Sequence, residues 1–176
     1  MRANRVKLIG GIAATAGVLL SLVSTTPASA EVYGSRIKNA NSGWCLEVAD
    51  WSLDNGAAVR QWGCTGGANQ VWKISKVDAY YSQIINANSG KCLEAADWGT
   101  GNGTQVRQWA CTGGANQLWR VPTSYSINDP AQEITNGNAW NKCLEIGGWS
   151  TEWGANANLW DCGGGQANQK WNYFTG

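Results

Sequence analysis

The sequence contains no histidine, few charged residues and no sustained helical pattern of ten or more residues. Histidine is the commonest metal ligand and the commonest general acid–base side chain, so a metal site or a catalytic site in this chain would have to be built without it. Charged residues make up only 14% of the chain, whereas nucleic-acid binding needs a basic surface. No second long hydrophobic stretch follows residue 30. These absences predict a protein without a metal or other cofactor, without a nucleic-acid partner and without membrane insertion.

The first 30 residues have the organisation of a secretory signal. Three basic residues lead into an apolar stretch over residues 8–23, and Ala28-Ser29-Ala30 is a small-residue cleavage site. A membrane anchor is the alternative, but a span needs about 20 strongly apolar residues and this stretch is short and rich in Gly and Ala. We predict an extracellular mature chain of residues 31–176. Its net charge is −2, because the signal holds three of the 13 basic residues and none of the 12 acidic ones.

The six cysteines form three pairs whose partners lie 19 positions apart. In an exported chain such pairs predict disulfides, and equivalent units should form equivalent bonds. The predicted bonds are Cys45–Cys64, Cys92–Cys111 and Cys143–Cys162. Each closes a loop of about 20 residues, which is worth roughly 3 kcal/mol in the chain-entropy model. A zinc site is the alternative, but histidine and short Cys-x-x-Cys spacings are both missing.

One block of sequence recurs three times. Each copy contains Cys-Leu-Glu, a tryptophan four positions after the glutamate, a second cysteine and a closing Asn-Gln-x-Trp. Short β-prone runs alternate with turn sequences such as Asp54-Asn55-Gly56. Four strands per unit give about twelve strands, which is typical of a closed all-β architecture whose units bury a core together. We place the units at about residues 33–78, 79–124 and 125–176.

The twelve tryptophans fall into groups by their position in the repeat. An indole either fills a core or presents a flat face on which a sugar ring can stack. The tryptophans that close each unit end strand-like runs and are assigned to the core: Trp72, Trp119 and Trp171. Those two residues before the second cysteine suit either use: Trp62, Trp109 and Trp160. Those in the loop after the glutamate are harder to bury and are candidate contact residues: Trp51, Trp98 and Trp149.

Each unit also carries a glutamate and an Asn-Gln pair at fixed positions. A carboxylate accepts hydrogen bonds from sugar hydroxyls, an amide both donates and accepts them, and an aromatic face packs on sugar C–H groups. The same carboxylates and amides can instead satisfy turns and backbone groups inside each unit. Residue types alone leave both interpretations open.

The pattern Cys-Leu-Glu, Gln-Trp-x-Cys, Ala-Asn-Gln-x-Trp, repeated with variation, resembles the ricin-B-type (R-type) lectin domain over residues 33–176. The resemblance implies a β-trefoil: a six-stranded barrel capped by three hairpins. It also implies up to three shallow sugar pockets, often for galactose or xylose, in which the glutamine is partly structural. The implied pockets are Glu47, Arg60, Trp62, Asn69 and Gln70; Glu94, Arg107, Trp109, Asn116 and Gln117; and Glu145, Asn158, Trp160, Asn168 and Gln169.

Two departures from the family pattern bear on the ligand. Glutamate replaces the usual aspartate in every unit, and Arg60 and Arg107 replace the usual glutamine. Each arginine either pairs with the pocket glutamate and competes with a neutral sugar, or attracts an acidic sugar or phosphorylated glycan. The third unit has neither the arginine nor the aspartate of Asp50 and Asp97. We therefore expect units one and two to share a ligand and unit three to be weaker, different or silent.

Three functions compete for this sequence. The favoured one is a secreted, non-catalytic protein that binds a glycan or polysaccharide, as a monomer by default. An enzyme is disfavoured: a glycosidase needs two carboxylates, which Glu47 and Asp50 could supply, but the repetition of the unit and the missing histidine argue against it. The third is a protein-interaction or inhibitor trefoil, because fold does not fix function.

Overall fold

The computed structural model describes residues 34–122 and 130–174, so the signal expected over residues 1–30 lies outside the described part. Regular structure in these ranges consists of thirteen strands and six short 3-10 turns. The described residues contain no α-helix, and therefore no helix that could cross a membrane. Unit one contains β1 (Ser35–Asn39), β2 (Cys45–Val48), β3 (Val59–Trp62) and β4 (Val71–Lys76). Unit two contains β5 (Ser82–Asn86), β6 (Cys92–Ala95), β7 (Val106–Trp109) and β8 (Trp119–Arg120). Unit three contains β9 (Gln132–Glu133), β10 (Thr135–Asn136), β11 (Lys142–Ile146), β12 (Ala157–Asp161) and β13 (Lys170–Phe174).

Six strand positions form the barrel. β1 pairs with β13 and β4, β4 pairs with β5, and β5 pairs with β8. The sixth position is split at Ile134, since β9 pairs with β13 while β10 pairs with β8. The hydrogen-bonded sheet is therefore not closed as the sequence predicted: its ladder is interrupted at Ile134, between β9 and β10, where the chain itself is continuous. This split explains why the described residues form thirteen strands where the sequence predicted about twelve.

Three antiparallel hairpins project from the barrel, one from each unit. They are β2–β3, β6–β7 and β11–β12. Barrel and hairpins together form a β-trefoil, which confirms the expected all-β fold. The register of each hairpin places the repeated glutamate opposite a polar residue on the second strand. These pairs are Glu47 with Arg60, Glu94 with Arg107, and Glu145 with Asn158.

The closing tryptophan of each unit lies in the core, as predicted. Trp72, Trp119 and Trp171 are at most 1% exposed. Each indole N–H donates a 2.9 Å hydrogen bond to the carbonyl of the leucine in Cys-Leu-Glu. A buried indole therefore contributes its apolar area without leaving its donor unsatisfied. The same bond ties the end of each unit to the hairpin strand that carries its glutamate.

The three disulfides pair as the repeat predicted. Cys45 bonds Cys64, Cys92 bonds Cys111, and Cys143 bonds Cys162, so no free cysteine remains in the described ranges. Each bond connects the first strand of a hairpin to the loop that follows its second strand. Three disulfides in one small domain are consistent with an extracellular protein.

Neighbouring units interlock through a buried glutamine that the third unit lacks. Gln61 accepts a 2.6 Å hydrogen bond from Ser42 and donates to the carbonyls of Ser150 and Glu152 in unit three. Gln108 makes the equivalent bonds in unit two. The corresponding positions in unit three hold Ala139 and Leu159, both buried in the apolar core. Both members of the polar pair are thus apolar in unit three, so neither of these side chains needs the other as a hydrogen-bond partner.

Candidate functional site

Each of the first two hairpins holds a buried glutamate in a network of hydrogen bonds. Glu47 Oε1 accepts from Arg60 Nε at 3.0 Å, and its Oε2 accepts from the amides of Asn69 and Gln70 at 3.2 and 3.0 Å. In unit two the same bonds join Glu94 to Arg107, Asn116 and Gln117 at 2.8, 3.3 and 3.0 Å. The ion pair between Glu47 and Arg60, one of the two alternatives that the sequence left open for the arginine, is therefore present, and it recurs in unit two.

A second carboxylate completes each network from the solvent side. Arg60 Nη2 donates to Asp50 Oδ1 at 2.9 Å, and the Asp50 side chain is 82% exposed. Arg107 binds Asp97 at the same distance. Each guanidinium thus lies between one buried and one exposed carboxylate. Burial, the largest single influence, lowers the pKa of Arg107, but the hydrogen bonds and negative charges of Glu94 and Asp97 together outweigh it, so the pKa is raised.

The tryptophan on the second hairpin strand packs against this arginine. The guanidinium carbon of Arg60 lies 4.6 Å from the ring centroid of Trp62, and that of Arg107 lies 4.5 Å from Trp109. Stacking of this kind is favourable between a cation and an aromatic face. It also means that an arginine already occupies part of the aromatic surface that the sequence offered for a sugar.

The loop after each glutamate presents a different tryptophan to solvent. Trp51, Trp98 and Trp149 are between 51% and 55% exposed. Trp51 has φ of 56° and Asp50 before it has φ of 53°, and unit two repeats this left-handed pair at Asp97 and Trp98. Non-glycine residues in this region cost roughly 1–2 kcal/mol each. The same strained pair thus presents an indole to solvent in both units.

In units one and two, one contact holds the backbone of the exposed tryptophan and another positions its ring. The carbonyl of Trp51 accepts a hydrogen bond from the Asn88 amide of the next unit at 3.2 Å. The ring lies over Gly67, where an added Cβ would stand 2.6 Å from Trp51 Cζ2. Gly114 gives Trp98 the same room. Unit three has Gln166 at this position, so the indole of that unit has no glycine beneath it.

These side chains enclose a small open cavity in each of the first two units. The cavity of about 220 Å³ in unit one is lined by Glu47, Asp50, Trp51, Arg60, Trp62, Thr65 and Asn69. The cavity of about 250 Å³ in unit two is lined by the equivalent residues Glu94, Asp97, Trp98, Arg107, Trp109, Thr112 and Asn116. The Oδ1 atoms of Asn69 and Asn116 are buried and accept no hydrogen bond from any described residue.

Most of the side chains implied by the sequence thus meet in one place, but not all of them line the cavity. Gln70 and Gln117 are fully buried behind the glutamates. There they also bond the loop after the second cysteine, in keeping with a structural role. The set implied by the family resemblance omitted the aspartate, the loop tryptophan and the threonine of each cavity, although the sequence had separately marked Trp51 and Trp98 as candidate contact residues. The signal for the aspartate and the tryptophan was the Asp-Trp pair that recurs three and four positions after the glutamate in units one and two.

The third unit assembles fewer of these groups. Glu145 Oε2 accepts from Asn168 and Gln169, but no cation among the described residues pairs with it. Asn158 faces Glu145 across the hairpin and its amide lies against Gly147. Trp160 follows on the same strand and is 45% exposed. Burial raises the pKa of Glu145, and the two amide hydrogen bonds offset part of that effect.

Replacing Glu145 by glutamine is expected to remove a pH dependence of stability. Because its pKa is raised in the folded protein, the native state binds the proton more tightly than the unfolded state does. The free energy of unfolding should therefore fall as pH rises from the ordinary glutamate value of 4.5 through the raised value. Urea unfolding of the wild type and E145Q at several pH values tests this. The stability difference should grow in favour of E145Q across that window; parallel curves would contradict it.

The strand tryptophan of each cavity is backed by a loop of another unit, although the lining residues of each cavity belong to one unit. The backbone of Gly154, in the loop of unit three, packs against Trp62 of unit one, where an added Cβ would lie 3.6 Å from Trp62 Cζ3. Gly56 of unit one packs in the same way against Trp109 of unit two. The backbone bonds Gly154 N–H to Gln61 O and Gly56 N–H to Gln108 O hold these loops in place, each at 2.9 Å. The position of the strand tryptophan in each pocket therefore depends on a loop of another unit.

Comparison with known proteins gives one family match and several similar structures. The family described as "ricin-type beta-trefoil lectin domain-like" matches residues 24–109 and 75–160. The designed threefold-symmetric protein ThreeFoil is 30% identical, with a TM-score of 0.74 over 80% of this chain and 97% of its own. An exo-β-1,3-galactanase from Clostridium thermocellum is 33% identical, with a TM-score of 0.73 over 80% of this chain. The match spans only 29% of that enzyme.

A more distant structure shares the fold alone. The C-half of an earthworm R-type lectin, solved in complex with GalNAc, is 19% identical with a TM-score of 0.62. The match covers 79% of this chain and 95% of that lectin. The architecture is thus common to natural, enzyme-attached and designed proteins.

Proposed function

The chain belongs to the ricin-type β-trefoil lectin-like family, and from that premise we propose that it is a secreted, non-catalytic protein that binds sugar units of glycans or polysaccharides. The proposed sites are the shallow cavities of units one and two, with a divergent third site around Glu145. Three weak sites on one body would raise the avidity for a polymer through effective concentration.

One observation carries this proposal: each of the first two cavities places an exposed indole beside a carboxylate–guanidinium–carboxylate set. An indole face can pack on the C–H groups of a sugar ring, while charged groups bond its hydroxyls. We assign the stacking surface to Trp51 and Trp98, since arginines already lie on Trp62 and Trp109. Asp50, Arg60 and Thr65 would bond hydroxyls in unit one, and Glu47 would mainly hold the arginine in place.

The charge of the cavities favours a neutral sugar over an acidic one. Arg60 is bound by both Glu47 and Asp50, so two carboxylates face one guanidinium. Unit two has the same balance. An anionic sugar or phosphorylated glycan would add a further negative charge to a site that is already net negative. The arginine would then orient the carboxylates and donate to hydroxyls rather than attract an acid.

Catalysis fits this arrangement poorly. A glycosidase places two carboxyl groups on either side of the scissile bond. Here the guanidinium of Arg60 lies between Glu47 and Asp50 and bonds both of them. The space that a glycosidic bond would need is occupied by the protein itself. This supports a binding role for the site, and the galactanase match, which spans a small part of that enzyme, is compatible with it.

A glycan panel tests the proposed function and its preference for neutral sugars. We expect the purified, oxidised protein to bind one or more neutral glycans. β-1,3-Galactan is the first candidate, because of the galactanase similarity. Galacturonic acid and sugar phosphates should bind at least about fivefold more weakly than matched neutral sugars, since each adds a like charge worth about 1 kcal/mol or more near the site. Binding to no glycan would contradict the proposal and favour a protein partner; preferential binding of the acids would contradict the charge argument.

A further inference from the structure

Tryptophans gather at the boundary between units three and one, where the other boundaries carry polar residues. The ring of Trp153 lies 5.2 Å from that of Trp62 and 5.6 Å from that of Trp44. Trp44 corresponds to Lys91 and Lys142 in the other units. Trp44, Trp62 and Trp153 are called the boundary cluster below. Among the described residues, this group of three indoles occurs at the boundary of units three and one and has no counterpart at the equivalent positions of the other two boundaries.

The residue equivalent to Trp153 is an asparagine in the other two units, where it forms a hydrogen bond across the boundary. Asn55 Oδ1 accepts a 2.9 Å hydrogen bond from the backbone N–H of Ala110, and Asn102 does the same for Asp161. At the third boundary the indole of Trp153 instead lies on Gly63, where an added Cβ would stand 3.1 Å from Trp153 Cζ2. The change from asparagine to tryptophan is thus matched by a glycine that makes room for the ring.

The boundary cluster is oriented and still open to solvent. The indole N–H of Trp44 donates to the carbonyl of Thr151 at 2.9 Å, which fixes that ring on the loop of unit three. Trp153 remains 56% exposed although it packs against two other indoles. Large exposed apolar surfaces on a soluble domain commonly mark sites of binding.

The cluster is continuous with the cavity of unit one, because Trp62 belongs to both. A glycan seated against Trp51 and Arg60 would therefore find a second aromatic surface next to it. The cavity of unit two has no such neighbour, since Asn55 stands at the equivalent place. We propose that Trp44 and Trp153 form an extension of the first pocket that contacts a second sugar unit of the same chain. This rests on the proposed function and makes the first pocket a site for oligosaccharides.

Chain length is the variable that tests the extension. In a W98G/W149G background, which leaves the first pocket as the site measured, calorimetry would follow galactose and β-1,3-linked galactose oligomers of two to four units. We expect the dimer to bind about tenfold more tightly than galactose, a gain of the size of one aromatic contact. The G63A/W153N variant restores the Asn55–Ala110 arrangement and should lose this gain while keeping its affinity for galactose.

The outcomes separate the extension from the proposed function. Equal affinity for galactose and its oligomers, or a gain that survives in G63A/W153N, would overturn the extension and leave the sugar site in place. Binding of none of the four ligands would exclude galactose as the sugar of the first pocket and overturn the extension for β-1,3-linked galactose chains, while the glycan panel still decides the proposed function. As a matched control, W51G/W149G leaves the second pocket, whose affinity should not depend on chain length.

Discussion

Replacing Gln70 by leucine is expected to lower the free energy of unfolding by about 3 kcal/mol or more, because each buried group left without its partner costs about 1–3 kcal/mol. Its amide donates to Glu47 Oε2 and to the carbonyl of Gly63. Its oxygen accepts from the backbone N–H groups of Thr65 and Gly66. Leucine fills a similar volume but satisfies none of these groups. Urea or thermal unfolding under oxidising conditions measures the loss.

The same chemical change on the surface provides the control. Gln105 is exposed, and Q105L should change stability by no more than about 0.5 kcal/mol, as is usual for surface substitutions. Because Gln70 also holds Glu47, Q70L should weaken binding at the first pocket as well. If Q70L were as stable as Q105L, the network behind the glutamate would contribute little to the fold, and the structural assignment of Gln70 would be wrong.

Replacing both Trp51 and Trp98 by glycine is expected to weaken glycan binding by about 30-fold or more, since the tryptophans that dominate an interface contribute about 2 kcal/mol or more each. Both residues have positive φ, 56° and 58°, which glycine adopts without a steric cost. The double variant should therefore fold as well as the wild type while losing its binding. Calorimetry on the preferred glycan and unfolding curves on the same preparations give the two readouts.

A control and a converse variant sharpen this prediction. Trp140 is 81% exposed and lines neither cavity, so W140G should bind as the wild type does. W62F/W109F keeps an aromatic ring beneath each arginine and should bind more strongly than W51G/W98G. If W51G/W98G kept full affinity while W62F/W109F lost it, the stacking surface would be the strand tryptophan, as the family resemblance first implied.

The repeat predicted the parts of the fold that depend on spacing alone. Cysteines at a constant separation identified the three disulfides, and the closing Asn-Gln-x-Trp placed Trp72 and its equivalents in the core. The family resemblance placed Glu47 and Arg60 in one pocket, and their opposition across the hairpin matches one of the two alternatives that the sequence offered. Each of these features is local to a unit, so a single copy of the pattern carries the information and the other copies repeat it.

Features that depend on backbone angles or on two units were beyond the pattern. Nothing in the sequence marked Asp50 and Trp51 as left-handed, because non-glycine residues seldom adopt that conformation. The contact of Arg60 with Trp62 depends on side-chain rotamers, and the interruption of the barrel at Ile134 depends on neighbouring strands. The exchange of Ser42 and Gln61 for Ala139 and Leu159 becomes meaningful only once both positions are seen inside the core.

The loop around Gly154 gives the third unit a structural role in the first pocket that does not depend on sugar binding by the third unit itself. Gly154 backs the tryptophan of the first pocket, and Trp153 beside it packs on Gly63 of unit one. The third copy therefore supports the first pocket although its own pocket lacks the arginine and the aspartate, and deleting that copy would remove the loop that backs Trp62. One binding site can thus be lost while the others remain, whereas no unit can be removed without affecting the pocket of another.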